Sequence, residues 1–192
     1  MRARMAIYSA GIEVESIEVS LKNKPQSLLD YSPKATVPVL VTIRGKVIEQ
    51  SRDIMMWALN QSDRDNWLMQ TDSAAQEQMK QLIDTCDNNF KPLLDRYKYF
   101  DRYPEFSQQN YRQQAEFFLQ LLDDRLAQNN FLMDKNMRLA DVAIFPFVRQ
   151  FANTDTEWFN ASEYKNLQRW LNVCVNTTMF ETIMANRKNL NE

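Results

Sequence analysis

Val37-Pro38-Val39-Leu40-Val41-Thr42-Ile43, then Arg44-Gly45-Lys46, Val47-Ile48-Glu49 and Gln50-Ser51-Arg52-Asp53, spell out one supersecondary unit without interruption. The run 37–43 is apolar and β-branched, which predicts a buried strand. Pro38 stands at its start, where a missing ladder N–H is tolerated. Arg44-Gly45-Lys46 predicts a short turn and 47–49 a second strand, so the pair forms a hairpin. A helix opens next with Ser51 as its N-cap, because a serine hydroxyl accepts from an early helical N–H. Ile54, Met55, Ala58 and Leu59 then recur at helical spacing on one face. By itself the stretch is either a plain hairpin with a capped helix or a ligand site built on the two.

Upstream, residues 1–11 predict a helix with Met1, Met5, Tyr8 and Ile12 on one face and Gly11 as its stop. Ile12, Val14, Ile17 and Val19 alternate with Glu13, Glu15 and Glu18, with one slip near Ser16, which predicts a strand carrying a bulge. Residues 22–31 form a polar loop with a short helical turn that holds Leu28 and Leu29. Downstream, 61–72 has no long periodicity and predicts a linker. Ser73 then caps a long helix whose apolar residues repeat at three-four spacing from Met79 to Tyr97, with Pro92 inside it as a kink. A second long helix, 107–130, buries Tyr111, Ala115, Phe118, Leu122 and Leu126, and the two form an antiparallel hairpin. Residues 132–136 form a loop. Residues 139–148 are apolar on nearly all sides, as a central buried helix is. Helices at 163–175 and 179–185 follow, and a polar, frayed tail at 186–192.

Composition excludes more than it selects. The 192 residues are 44% hydrophobic and 25% charged with net charge −2, which is ordinary for a soluble globular protein and gives no basis for binding nucleic acid or an anionic membrane. Residues 1–60 are mildly basic, with eight Lys/Arg against six Asp/Glu. No apolar run reaches the length of a membrane span, and the first residues do not read as a signal peptide. With no histidine, Ser-His-Asp and Cys-His nucleophile systems and histidine metal sites cannot be written. Gly11 and Gly45 are the only glycines, too few for a phosphate-binding glycine loop. Cys86 and Cys174 sit mid-helix on apolar faces, as core residues rather than nucleophiles, and suit a cytoplasmic protein. Ser9 and Tyr8 lie at a helix C-terminus, where an anion is disfavoured. Arg2 and Arg4 are read as a solvated helix face.

The stretch 37–51 resembles the thioredoxin-like half of the glutathione transferase family, where a cis Val-Pro pair opens a strand and a Glu-Ser or Gln-Ser pair starts the next helix; here these are Val37-Pro38 and Gln50-Ser51. A second resemblance lies at Leu139-Ala140-Asp141-Val142-Ala143-Ile144-Phe145-Pro146, which is similar to the family's central helix. The capping hydroxyl of that helix is replaced by Arg138, so half of a capping box is lost, while Asp141 can still reach back to a backbone N–H. The resemblance implies an α/β plus all-α fold. A thioredoxin-like N-terminal domain (1–61) with three or fewer strands is joined by a linker (62–72) to an all-helical C-terminal bundle (73–192). It implies glutathione as co-substrate, held by Val37, Pro38, Gln50 and Ser51, with a small hydrophobic co-substrate against Tyr97, Phe100 and Tyr103, no metal, and a homodimer in the cytoplasm.

In the family a strand and a turn bearing a catalytic cysteine or serine precede the first helix, and Met1-Arg2-Ala3-Arg4-Met5-Ala6 is similar to that helix's continuation. The expectation is therefore a chain that lacks the first strand and the catalytic residue, with a small sheet and a mobile first helix. Two functions remain open. One is a bacterial-type cytosolic glutathione transferase that conjugates glutathione to, or exchanges it on, small electrophilic or disulfide substrates. The other is a non-catalytic binding or regulatory protein, like the family's starvation-response members associated with RNA polymerase.

Overall fold

The computed structural model describes residues 1–20 and 23–185; the tail expected at 186–192 and Lys22 of the predicted loop lie outside the described residues. The described residues form two compact units, 1–65 with 177–185, and 66–176.

In the first unit α1 (Arg2–Ala10) ends at Gly11, whose φ of 66° is one that a glycine adopts at no steric cost. Ile12 N–H then reaches back to Ile7 O (3.1 Å) and Gly11 N–H to Tyr8 O (3.0 Å), closing the helix as predicted. Its buried face differs from the one predicted. Ala3, Met5, Ala6, Ile7 and Ala10 are buried and Tyr8 is exposed. Small residues at 3, 6 and 10 let the backbone of α3 (Ser51–Gln61) approach closely, and that gain outweighs the larger Met-Tyr-Ile stripe. The expected looseness of this helix has no counterpart in its packing, since Met5 and Ala6 are wholly covered.

The strand predicted at 12–19 is absent. Beyond Ile12 N–H those residues make no backbone–backbone hydrogen bond among the described residues; the nearest pairing is an isolated bridge between Ser20 and Asn23. Alternation specifies which side chains share a face and does not supply the neighbour that a strand requires. A short helix α2 (Gln26–Tyr31) buries Leu28 and leaves Leu29 exposed. The predicted hairpin is present in reduced form: β1 (Leu40–Val41) pairs antiparallel with β2 (Val47–Ile48), with Leu40 opposite Ile48 and Val41 opposite Val47. Gly45 turns it at φ 75°, and Thr42 N–H donates to Lys46 O (2.9 Å). The run 37–43 is not the buried strand predicted, because Val37, Val41 and Ile43 are exposed. The unit is thus the thioredoxin-like half with a small, two-stranded sheet. It also takes in α10 (Thr178–Ala185), which lies against α1 and buries Phe180 and Ile183.

The second unit is all helical. α4 (Ser73–Thr85) is capped by Asp72, whose carboxylate accepts from Ala75 N–H (2.9 Å), one residue before the cap predicted. The kink expected from Pro92 takes the form of a π-helical turn, Cys86–Phe90, after which α5 (Lys91–Lys98) carries Pro92 in its first turn, where a missing N–H is harmless. A 3₁₀ turn (Phe100–Arg102) leads to α6 (Gln108–Gln128), capped by Ser107. α7 (Leu139–Ala152) is buried on nearly every side as predicted, and α8 (Thr156–Ala161) and α9 (Lys165–Val175) pack around it. The core is aromatic: Phe90 stands 4.9 Å from Phe118 and 5.6 Å from Phe151, which meets Tyr97 at 4.8 Å.

Candidate functional site

The loop that delivers the 37–38 peptide is tied to Glu49, the residue before the N-cap of α3. Ser32 is fully buried and its hydroxyl donates to Glu49 Oε1 (2.6 Å), while Lys34 Nζ lies 3.7 Å from Glu49 Oε2. Ala35 N–H closes a turn onto Ser32 O (2.8 Å). These contacts set residues 32–38 beside Glu49-Gln50-Ser51. The Val37–Pro38 bond is cis, and Val37 is 46% exposed.

The cap of α3 is shifted by one position from the prediction. Gln50 keeps extended backbone angles and its carbonyl accepts from Ile54 N–H (3.0 Å), which makes Gln50 the N-cap and Ser51 the first helical residue. The Gln50 side chain makes no capping hydrogen bond at this end. A helix N-terminus without an internal acceptor carries N–H donors and a partial positive charge toward any anion that approaches.

Beside it runs an open groove of about 640 Å³ along β2 and α3, lined by Lys34, Lys46, Gln50, Asp53, Trp57 and Gln61. Of the four residues expected to hold glutathione, Gln50 lines this groove; Val37, Pro38 and Ser51 do not. Ser32, Lys34 and Glu49 escaped the sequence reading. Their signal was position alone, a lysine near the Val-Pro pair and an acid directly before Gln50-Ser51.

The three aromatics expected around a co-substrate are not brought together on one surface. Tyr97 is buried in the core against Phe151, and burial first, then the nearby Asp155 charge, pushes its phenol upward. Phe100 is exposed, and Tyr103 is half-buried under the Arg96 guanidinium at 5.8 Å. Both cysteines are wholly buried, and burial, followed by the neighbouring Asp141 charge, pushes the Cys174 thiol well up. The Ser9 hydroxyl donates to Asp65 (2.9 Å). Arg2 is buried rather than solvated, and Arg4 pairs with Glu18 and bonds Ser16.

The sequence pattern described as glutathione S-transferase, N-terminal domain, matches residues 1–61, and that described as glutathione S-transferase, C-terminal domain, matches residues 73–172. Elongation factor 1-gamma of Drosophila melanogaster is 23% identical over 97% of this chain, which spans 44% of that protein's length. A glutathione S-transferase from Methylobacillus flagellatus KT, solved with GSH bound, superposes with a TM-score of 0.81 at 19% identity, covering 94% of this chain and 91% of that one. A glutathione transferase from Phanerochaete chrysosporium, solved with oxidized glutathione, gives a TM-score of 0.81 at 16% identity, covering 98% and 90%. At these identities the two structures speak for the fold.

Proposed function

The chain belongs to the glutathione S-transferase family, and on that premise we propose that it binds glutathione as a cytosolic, bacterial-type transferase, conjugating it to, or exchanging it on, small electrophilic or disulfide substrates. The observation that carries the proposal is the start of α3: an N-terminus that the Gln50 side chain does not cap, opened by Gln50-Ser51 and held beside the 32–38 loop by Ser32 and Glu49. There the γ-glutamyl carboxylate meets early helical N–H groups and the Ser51 hydroxyl. The exposed Val37 backbone pairs with the cysteinyl part of the tripeptide as one strand pairs with another. Phe100 and Tyr103 are assigned to the apolar co-substrate, and the active form to a homodimer.

Titration calorimetry with glutathione tests this. Ser51→Ala and Gln50→Ala are expected to weaken binding about tenfold each, the value of one hydrogen bond to a charged group. A native chain that takes up no glutathione, or affinity indifferent to both substitutions, overturns the site.

A second reading, a non-catalytic glutathione-transferase-like binding or regulatory protein, is favoured by one observation. Both thiols are wholly buried, so cysteine-based exchange finds no accessible nucleophile among the described residues. The match to elongation factor 1-gamma points the same way. Turnover of an aryl halide or a glutathionyl disulfide by a glutathione-binding chain decides for the enzyme; binding without turnover decides for the binder.

A further inference from the structure

Ala35 stands in a backbone conformation that an alanine does not favour. Its φ is 49°, in the left-handed region where a Cβ crowds the backbone, and the residue is buried. Gly11 and Gly45 occupy the same region without that crowding. An alanine stays there only where its surroundings hold it. One hold is local: Ala35 N–H donates to Ser32 O (2.8 Å). The other reaches seventeen positions along the chain. The Ser32 hydroxyl, wholly buried, donates to Glu49 Oε1 (2.6 Å). Lys34 adds little, because its ammonium lies 3.7 Å from Glu49 Oε2 on a side chain that is 68% exposed, where water screens the pair. The stronger link is the charge-assisted bond from Ser32. Shortly after Ala35 the chain reaches the exposed Val37, and directly after Glu49 it reaches Gln50, the N-cap of α3.

We propose that Glu49 is a positioning residue. Through the Ser32 hydroxyl it keeps Ala35 left-handed, and so fixes the Val37 backbone at a set distance from the start of α3. The inference rests on the glutathione reading, in which one tripeptide meets both places at once. Released from Glu49, the alanine relaxes toward a negative φ and the 35–38 segment turns with it. The γ-glutamyl carboxylate still reaches α3, but the cysteinyl part no longer finds Val37 in register. The loop then spends only a fraction of its time in the binding conformation, and affinity falls by that fraction. Glu49 itself touches no ligand in this arrangement and acts on affinity through the loop alone.

Titration calorimetry with glutathione, paired with hydrogen exchange on the ligand-free full chain, tests it. Glu49→Ala is expected to weaken binding about tenfold and to speed exchange in peptides spanning residues 33–41. Ser32→Ala does the same, and the two substitutions together lose no more than either alone, since they break one bond. Glu49→Gln keeps an oxygen that accepts from the Ser32 hydroxyl, and its affinity stays within about threefold of native. Ala35→Gly added to Glu49→Ala recovers most of the lost affinity, because glycine takes a positive φ without being held there. A general defect in folding at residue 49 would not respond to a change at residue 35. Equal affinity in the native chain and Glu49→Ala overturns the inference and leaves the glutathione site standing. So does a loss that neither Glu49→Gln nor Ala35→Gly repairs, or exchange at 33–41 that Glu49→Ala leaves unchanged. A native chain that takes up no glutathione overturns the reading of the site, and this inference with it.

Discussion

Asp141 is sealed from water and accepts three hydrogen bonds, from Leu132 N–H (2.9 Å), Arg138 N–H (2.8 Å) and Trp170 Nε1–H (2.8 Å). Loss of hydration is the largest influence on its carboxyl and raises the pKa from 3.8 to about 6, while the donors pull it down. A carboxyl with a raised folded-state pKa holds its proton more tightly in the native protein. Its contribution to stability is therefore full below about pH 4 and is lost as pH rises through about 6. The rise from 3.8 to about 6 corresponds to at most about 3 kcal/mol. Asp141→Asn abolishes this titration but turns an amide donor toward one of the three N–H groups, at a cost of about 1–3 kcal/mol. Urea unfolding of both proteins from pH 4 to pH 7 cancels every group they share. The native protein's advantage over the variant is expected to shrink as pH rises. An advantage that grows with pH would mean that the three donors outweigh desolvation.

The helices were the legible elements, because three-four spacing reports both the element and its buried face, as it does from Tyr111 to Leu126 in α6. Strands were less legible. Residues 12–19 and 37–43 carry the right side chains, but a strand exists through its partner, and sequence does not say whether one is adjacent. The face of α1 was misread because alanines at 3, 6 and 10 carry little hydrophobic signal, although close helix approach depends on them. At the candidate site, the Val37-Pro38 and Gln50-Ser51 pairs stand out in the sequence, whereas the Ser32–Glu49 contact joins residues seventeen apart that no local pattern connects. Arg138 shows how a departure from a pattern is compensated. It cannot cap α7, and Asp141 alone bonds back to its N–H. Its guanidinium instead grips both Asp134 oxygens, Oδ1 from Nε (3.3 Å) and Oδ2 from Nη2 (2.8 Å), and donates to Asn66 O (2.7 Å), while Leu139 N–H bonds Trp67 O (3.1 Å). The segment before α4 is thereby fastened to the start of α7. Arg138→Ala is expected to cost about 2 kcal/mol, the scale of charge-assisted bonds near the surface. Arg138→Ser should recover about 1 kcal/mol of that by restoring the helix cap. Equal losses in the two variants, measured by urea unfolding at neutral pH, would show that the hydroxyl finds no helical N–H.

At the scale of the whole molecule, the last described helix belongs with the first. The chain leaves one compact unit at residue 65, builds the second, and supplies α10 to the first unit from residue 177 onward. Phe180 and Ile183 are buried there, and α10 lies against α1, which in turn lies against α3. Among the described residues the first unit has a two-stranded sheet, so this layering of α10, α1 and α3 must supply most of its buried apolar surface. Phe180→Ala with Ile183→Ala removes two buried side chains from it, at about 2–5 kcal/mol each before any coupling between neighbours. Hydrogen exchange on the double variant is expected to lose protection in peptides from α1 and α3 while those from α6, α7 and α9 keep theirs, because the second unit has its own aromatic core around Phe90, Phe118 and Phe151. If protection falls equally in both sets, the two units unfold as one cooperative body, and α10 stabilises the entire chain instead of the unit it completes.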